Sequence, residues 1–475
     1  MTVTTCEETT EAKPASDRRP NVIVFFTDQQ RWDTLGVAGN PVGLTPNLDH
    51  MAERGCMFEV ACATNPVCAP SRSAILTGRY PTDTGVYRNG IPLSRDVPTM
   101  ARGFQDAGYC TGYIGKWHLS DENPVPAEER ADFDFWLASN LLEFTSDAYR
   151  TILYDNDGDP VELPGYRADA ITDAAIRFVA DNVGRPFFLF VSLLEPHHQN
   201  ELDNYPAPEV YRDRFNGAWL PPDLQQLTGT APQHIGGYYG QVKRVDECMG
   251  RIRDALLSLE LTASTIVAYT SDHGSHFKTR NDEYKRSCHD SSIRVPLVIE
   301  GPGLPGGRRI SQPVSTVDLA PTLLEAAGVA VPPQTQGRSL VRFLSGTPED
   351  QTILVQVSET ETGRAIRTRR WKYHVIAPQN EGTESANCYR EQSLYDLSAD
   401  PYELDNLIDS AAHGDVIEEL RTQLVERIHS IERCDVAIVP FGGKRRGQRA
   451  PETVVRSTAL RGSRFGHQQS GRIRE

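Results

Sequence analysis

Four apolar runs, each closing on groups that can ionise or bind a metal, constrain this 475-residue chain more than any other feature. Asn21-Val22-Ile23-Val24-Phe25-Phe26-Thr27 ends in Asp28-Gln29. Tyr109 to Gly115 leads into Lys116-Trp117-His118, and Pro186 to Leu194 into Glu195-Pro196-His197-His198. Ser264 to Thr270 leads into Ser271-Asp272-His273-Gly274. A strand of a parallel sheet is buried on both faces and reads as an almost unbroken hydrophobic run. Helical spacing lies between the runs, as in Val242, Val245, Met249, Ile252 and Leu256. Strands alternating with helices predict an α/β fold: a large, mostly parallel sheet flanked by helices. Ligands of such sheets gather outside the carboxyl ends of the strands, so the four polar clusters are expected to converge.

Pro46 to Arg54, with Pro first, Leu48, Met51 and Ala52 on one side and Gly55 behind, predicts a capped helix. Ser71 to Leu76 predicts another, with Cys68 just ahead of an N-terminal end that favours an anion. Val295 to Glu300 reads as a further buried strand, and a helix opening at Thr316 stops near Gly328. From about residue 346 the pattern changes to short strands, Ile353 to Val357 and Trp371 to Val375, before a helical stretch near Glu418 to Ile431. The expected organisation is a disordered tail over 1–19, a catalytic domain over 20–345, a smaller C-terminal α+β subdomain over 346–440 and a basic flexible tail over 441–475.

Hydrophobic content of 39% and charged content of 24% are ordinary for a soluble globular protein. The net charge of -15 argues against a nucleic-acid or anionic-membrane partner. The first twenty residues have no apolar core of a secretory signal, and no apolar run is long enough to span a bilayer. Nine cysteines, an odd number without framework spacing, predict reduced thiols and a cytoplasmic setting. Cys56 and Cys62 stand too far apart for a zinc knuckle and read as packing residues.

Cys68-Ala69-Pro70-Ser71-Arg72, followed by Leu76-Thr77-Gly78, resembles the signature of the type I sulfatases, of the alkaline-phosphatase-like superfamily. Leu394 to Leu407 resembles the Leu-Tyr-Asp-Leu…Asp-Pro…Glu…Asn-Leu pattern of that family's C-terminal part, and the likeness runs from about Asn21 to Leu407. It implies a sulfuric ester hydrolase in which Cys68 is converted to formylglycine (3-oxoalanine) by a formylglycine-generating enzyme. One hydroxyl of the hydrated aldehyde attacks sulfur; deprotonation of the other then expels sulfate, a form of covalent catalysis with its own release step.

The resemblance also assigns the site. Asp28, Gln29, Cys68, Asp272 and His273 match metal positions, with Gln29 standing where the family often has a second Asp. Calcium is implied, with magnesium or manganese as alternatives; oxygen ligands suit the first two, and His273 also suits manganese. Gly115-Lys116-Trp117-His118 matches the pattern in which the Lys binds sulfate oxygens and the His assists the hydrate. Alternation along an extended chain would point Lys116 and His118 at one ligand. Arg72 is implied to hold the nucleophile's oxygen and the metal ligands, and Lys285 to be a second sulfate-binding lysine. His197 matches the proton donor to the leaving oxygen, a task suited to imidazole, with His198 next in line. Asp272 can accept the proton of the attacking hydroxyl. His276, Arg280, Asn281 and His289 follow the metal pair and either touch the substrate's organic half or form a polar loop held by its own hydrogen bonds.

The expected substrate is a sulfate ester of a sugar or other small hydroxylated compound. A phosphonate monoester or phosphodiester hydrolase of the same superfamily is the nearest rival, and the Lys116–His118 pair argues against it. A binding protein with an unmodified Cys68 is the alternative from another class.

Overall fold

A computed structural model describes residues 19–341, 343, 351–379 and 382–443. The tail expected over 1–19, apart from Arg19, lies outside these residues. So do 344–350, where the second domain was expected to begin, and the basic tail beyond residue 443.

In chain order the first strands are β1 (Asn21–Thr27), β2 (Cys56–Phe58), β3 (Ala61–Cys62), β4 (Cys110–Lys116), β5 (Phe135–Ser139), β6 (Arg150–Tyr154) and β7 (Pro160–Pro164). They continue with β8 (Phe187–Ser192), β9 (Thr265–Ser271), β10 (Arg294–Val295), β11 (Leu297–Glu300), β12 (Arg308–Ile310) and β13 (Val314–Ser315). Ten of them form one sheet in the order β12-β2-β11-β9-β1-β8-β4-β5-β6-β7, and β10-β3-β13 form a small second sheet. The four apolar runs are thus the four adjacent strands β9, β1, β8 and β4, all parallel.

Side-chain alternation along β1 divides the interior. Val22, Val24 and Phe26 join Phe188 and Phe190 in a core shared with Phe104, Leu319 and Leu323. Ile23 and Phe25 join Leu189 and Val191 in a second core, against Ile171, Val245, Met249 and Ile252 of the helices Arg167–Asp181 and Ala231–Ser258. Both faces are covered, which is why the runs show no polar alternation. Burying a side chain of this size contributes about 1.5–3 kcal/mol relative to exposure.

Two local expectations need correction. The helix near the Cys68 motif spans Cys68–Thr77, so Cys68 lies in its first turn and not ahead of it. Pro70 permits this because a first-turn residue has no intrahelical acceptor for its missing N–H. The helix stops at Gly78, whose φ of 66° suits glycine. The strand expected over Val295 to Glu300 is broken at Pro296 into β10 and β11, which belong to different sheets. A proline cannot donate to a ladder, so pairing changes there.

The C-terminal strands β14 (Ile353–Val357), β15 (Gly363–Arg367), β16 (Trp371–Ile376), β17 (Cys388–Asp396) and β18 (Ala437–Val439) form a separate sheet in sequential order. Leu420, Leu424 and Ile428 of the helix Gly414–Glu432 pack on it with Ile366, Tyr373 and Leu394, and this core also takes in Ala74 and Val317. The helix Cys68–Thr77 therefore lies between two cores, and all ten of its residues are buried. No helix among the described residues is long and apolar enough to cross a membrane.

Candidate active site

Register brings the first carboxylates together. Thr27 of β1 stands opposite Ser271 of β9, so Asp28 and Asp272 leave paired strand ends. The backbone N–H of Gln29 donates to Asp272 Oδ1 at 3.0 Å. Arg72, reaching up from the helix Cys68–Thr77, then ties all four strand ends. It donates to Asp272 Oδ2 at 3.2 Å and Asp28 Oδ2 at 3.0 Å. It also donates to the Lys116 carbonyl at 2.9 Å and Ser192 Oγ at 2.9 Å. Five donors in a fixed fork let one guanidinium do this, and its 2% exposure keeps water from competing.

A metal-binding set is among the residues so gathered. Ligand atoms of Asp28, Cys68, Asp272 and His273 all lie within 4.8 Å of one another, and all four residues are buried. Gln29 Oε1 is buried without a hydrogen-bond partner, while its Nε2 lies 3.3 Å from Tyr205 Oη. A buried acceptor without a donor needs a water or a cation, so this amide oxygen, two carboxylates and an imidazole fit a divalent ion with oxygen preference. Burial and the Cys68 sulfur push the Asp28 carboxyl up, but Lys116, His197 and Arg72 push harder, holding it well below the carboxylate range. Burial and then the neighbouring Asp28 raise Asp272 instead.

Cys68 Sγ faces cationic and imidazole groups. Lys285 Nζ is 2.9 Å away and His273 Nε2 3.3 Å. Burial opposes a thiolate, yet Lys285, Lys116 and His273, with a hydrogen bond from His118, hold the thiol well below its ordinary pKa. Lys285 Nζ also lies 3.2 Å from His197 Nε2 and 3.0 Å from His273 Nε2. Burial first and Lys285 next lower the His197 pKa.

The Lys116–His118 pair is built differently from the alternation expected. β4 ends at Lys116, and His118 has a φ of 60°, so the segment between them is not extended. His118 nevertheless reaches Cys68, and its buried Nδ1 has no partner. Lys116 Nζ donates to Asp28 Oδ2 at 2.8 Å and Glu143 Oε1 at 2.9 Å. Burial works against its charge, but Asp28 and Glu143 raise its pKa.

His198 stacks on His197 with ring centroids 4.4 Å apart and lies 4.4 Å from Tyr284. His276 is buried with Nε2 2.9 Å from the Lys285 carbonyl, and burial pushes its pKa down to about 3. Asn281 donates to the same carbonyl at 3.3 Å. Arg280 donates to the Tyr402 carbonyl at 2.9 Å, and His289 lies 3.2 Å from Tyr395 Oη. These bonds hold His276 and Asn281 to the Lys285 carbonyl and turn Arg280 and His289 toward the C-terminal part. Glu143 and Ser192 were missed. A lone Glu after two leucines and a strand-end Ser carry no sequence signal; only an unpaired buried lysine or arginine could have prompted a search for them.

This fold and this site define a metal-assisted hydrolase of the alkaline-phosphatase-like type. The family profile "Sulfatase" matches residues 20–329, and "N-sulphoglucosamine sulphohydrolase, C-terminal" matches 282–430. An ulvan-active sulfatase of Formosa agariphila is 30% identical, over 90% of this chain and 85% of its own. A solved structure in complex with its substrate D-glucosamine-2-N,6-O-disulfate is 25% identical with a TM-score of 0.73, covering 88% of this chain and 98% of its own. A phosphonate monoester hydrolase of Silicibacter pomeroyi shares the fold at 21% identity and a TM-score of 0.68, over 87% and 96% of the two chains. The chain belongs to the sulfatase family and is a sulfuric ester hydrolase.

Proposed function

We propose that the protein removes sulfate from a carbohydrate sulfate ester, using formylglycine made from Cys68 and a divalent cation. The carrying observation is the meeting of Asp28, Cys68, Asp272 and His273 at one point, with Lys285 Nζ 2.9 Å from Cys68 Sγ. Formylglycine would supply an oxygen nucleophile on carbon that can release its sulfate without water attacking sulfur. Asp28, Gln29, Asp272 and His273 would hold the cation, which would draw charge from the sulfate oxygens. Calcium is the expected ion, given the oxygen donors.

The remaining work falls to protein side chains. Lys285 binds the sulfuryl oxygens, being a buried cation among a sulfur and two imidazole nitrogens. His118 and Asp272 accept protons from the nucleophile. His197 donates to the leaving alcohol, which without a proton is a poor leaving group. Arg72 and Lys116 fix Asp28, and His198 with Tyr284 lines the approach for the sugar. Relatives that act on ulvan and on a glucosamine disulfate support the carbohydrate reading. The eight cysteines among the described residues are free thiols, which supports a reducing, cytoplasmic setting.

The deciding experiment is the mass of the Cys68 peptide from protein made with a formylglycine-generating enzyme, with hydrolysis of an aryl sulfate followed in the same sample. Conversion lowers the mass by about 18 Da. Conversion with sulfate release, lost on chelation and restored by calcium, is expected. An unmodified thiol in fully active protein, or a faster reaction on an aryl phosphonate, overturns the reading.

A further inference from the structure

Resting on that reading, a residue just beyond the first strand of the C-terminal sheet connects to its machinery. Ser358, Glu359 and Thr360 follow β14 and cross from the C-terminal sheet to the two segments that carry Cys68 and Lys285. Glu359 makes the central bonds. Its Oε1 accepts from the Asn89 backbone N–H at 2.7 Å, and its Oε2 from Arg286 Nε at 2.5 Å. Asn89 Oδ1 in turn accepts from the Ala69 N–H at 3.1 Å. That donor is one of the unpaired amides opening the helix Cys68–Thr77, whose own N-cap residue, Val67, has no side-chain acceptor. On the other side Arg286 follows Lys285 directly, and its carbonyl accepts from Thr360 Oγ1 at 2.8 Å. Ser358 completes the strap, accepting from Asn65 Nδ2 at 3.0 Å and donating to the Tyr87 carbonyl.

Two backbone conformations indicate that this connection is held against local preference. Glu359 has a φ of 72° and Arg286 a φ of 69°, both in the left-handed region that non-glycine residues enter at a cost. The two strained residues are each other's ion-pair partners, with side-chain exposures of 16% and 13%. Low exposure makes the pair stronger than a surface one, and it adds to the other bonds at Arg286, whose guanidinium donates to Glu283 at 2.7 Å and whose carbonyl accepts from Asn281 at 3.2 Å.

We propose that Glu359 is a positioning residue: through Asn89 it fixes the first turn bearing the nucleophile, and through Arg286 it fixes Lys285. It acts on the half of the site that handles the sulfuryl group. Glu359→Ala should lower kcat/KM about 10- to 100-fold, mostly in kcat, because small misplacements of reacting groups are costly. The same fold-loss is expected on an aryl sulfate and on a sugar sulfate, since no contact with the organic half is removed. Asn89→Ala should give a comparable loss, and the double variant should lose much less than the product of the two, as residues on one route are non-additive.

Rates are taken per converted Cys68, determined by peptide mass, and Tm is recorded for each variant. Glu359→Gln, which retains an acceptor for the Asn89 N–H, should fall between wild type and Glu359→Ala, and it decides the matter if the alanine variant does not fold. A wild-type rate in Glu359→Ala overturns the proposal, as do losses that differ between the two substrates or multiply in the double variant. Inactivity of converted wild-type enzyme on both esters would count against the functional reading instead.

Discussion

Lys372 and Lys285 are both buried lysines, one at the junction with the C-terminal sheet and one at the strand ends, and they are surrounded in opposite ways. Lys372 Nζ sits between Asp290 and Glu403, the latter at 2.7 Å, and Arg367 reaches Asp290 at 3.2 Å. Burial resists ionisation there, but Lys372, Arg367 and Arg294 hold Asp290 well below the carboxylate range. Lys285 Nζ touches a sulfur and two imidazole nitrogens, and no carboxylate pairs with it among the described residues. The junction cluster has its anions built in. In the strand-end cluster Asp28 and Asp272 bond Arg72 and Lys116 and neither reaches Lys285, whose charge is then available to an anion that arrives from outside. A cluster completed internally ties the C-terminal sheet to the Asp290 and Glu403 segments; one left incomplete is where the proposed function puts the substrate's anion.

The harshest test of that contrast is Cys68→Ala, expected to cost roughly 10,000-fold or more in kcat/KM on an aryl sulfate while leaving the far-UV spectrum unchanged. Retained activity would remove the nucleophile from the scheme. Next, Lys285→Gln should cost about 100- to 1,000-fold in rate with little change in Tm. Lys372→Met should do the reverse, destabilising by about 3–5 kcal/mol because it leaves buried carboxylates unpaired, with a near-normal rate per folded molecule. If the two variants exchanged phenotypes, the distinction between the clusters would be wrong.

Much of the strand-end cluster is legible in the sequence because its members sit where periodic segments stop. Asp28, Lys116 and Asp272 follow runs whose burial on both faces is written in their composition, and a parallel sheet aligns such ends. The partners that finish the cluster are not legible. Glu143 comes from a short helix, Leu142–Thr145, and Glu359 from a turn, and each meets its partner across a long stretch of sequence. No local period encodes such a meeting. His118 eluded the alternation rule because its left-handed backbone rotates the side chain by means the residue names do not reveal. The junction cluster escaped for the same reason: Asp290, Lys372 and Glu403 are drawn from three separate segments.

Smaller effects refine the picture. Glu143→Gln removes one of the two carboxylates on Lys116 and should lower kcat about tenfold, the scale of one charge-assisted hydrogen bond; steady-state rates at saturating aryl sulfate check this. The finest test is a pH profile. His197 can donate only while protonated, so kcat falls as pH rises through its pKa. Burial and then Lys285 place that pKa below the ordinary imidazole value. Removing the cation lets it rise, so the alkaline limb of Lys285→Gln should move to higher pH, by about one unit. A limb that stays put or moves down would separate His197 from the proton transfer.

The full burial of the helix Cys68–Thr77 also has a consequence in time. Cys68 is 1% exposed once folded, yet Lys285, which closes over its sulfur, lies 217 residues later in the chain. During synthesis the nucleophile segment therefore leaves the ribosome long before the residues that enclose it exist. On the proposed function, that delay would give a maturing enzyme its opportunity to reach the thiol, and it would end when β9 and the Lys285 segment dock. Until then the growing polypeptide would carry Cys68 without Lys285 beside it, so the order of the sequence itself would separate maturation from catalysis.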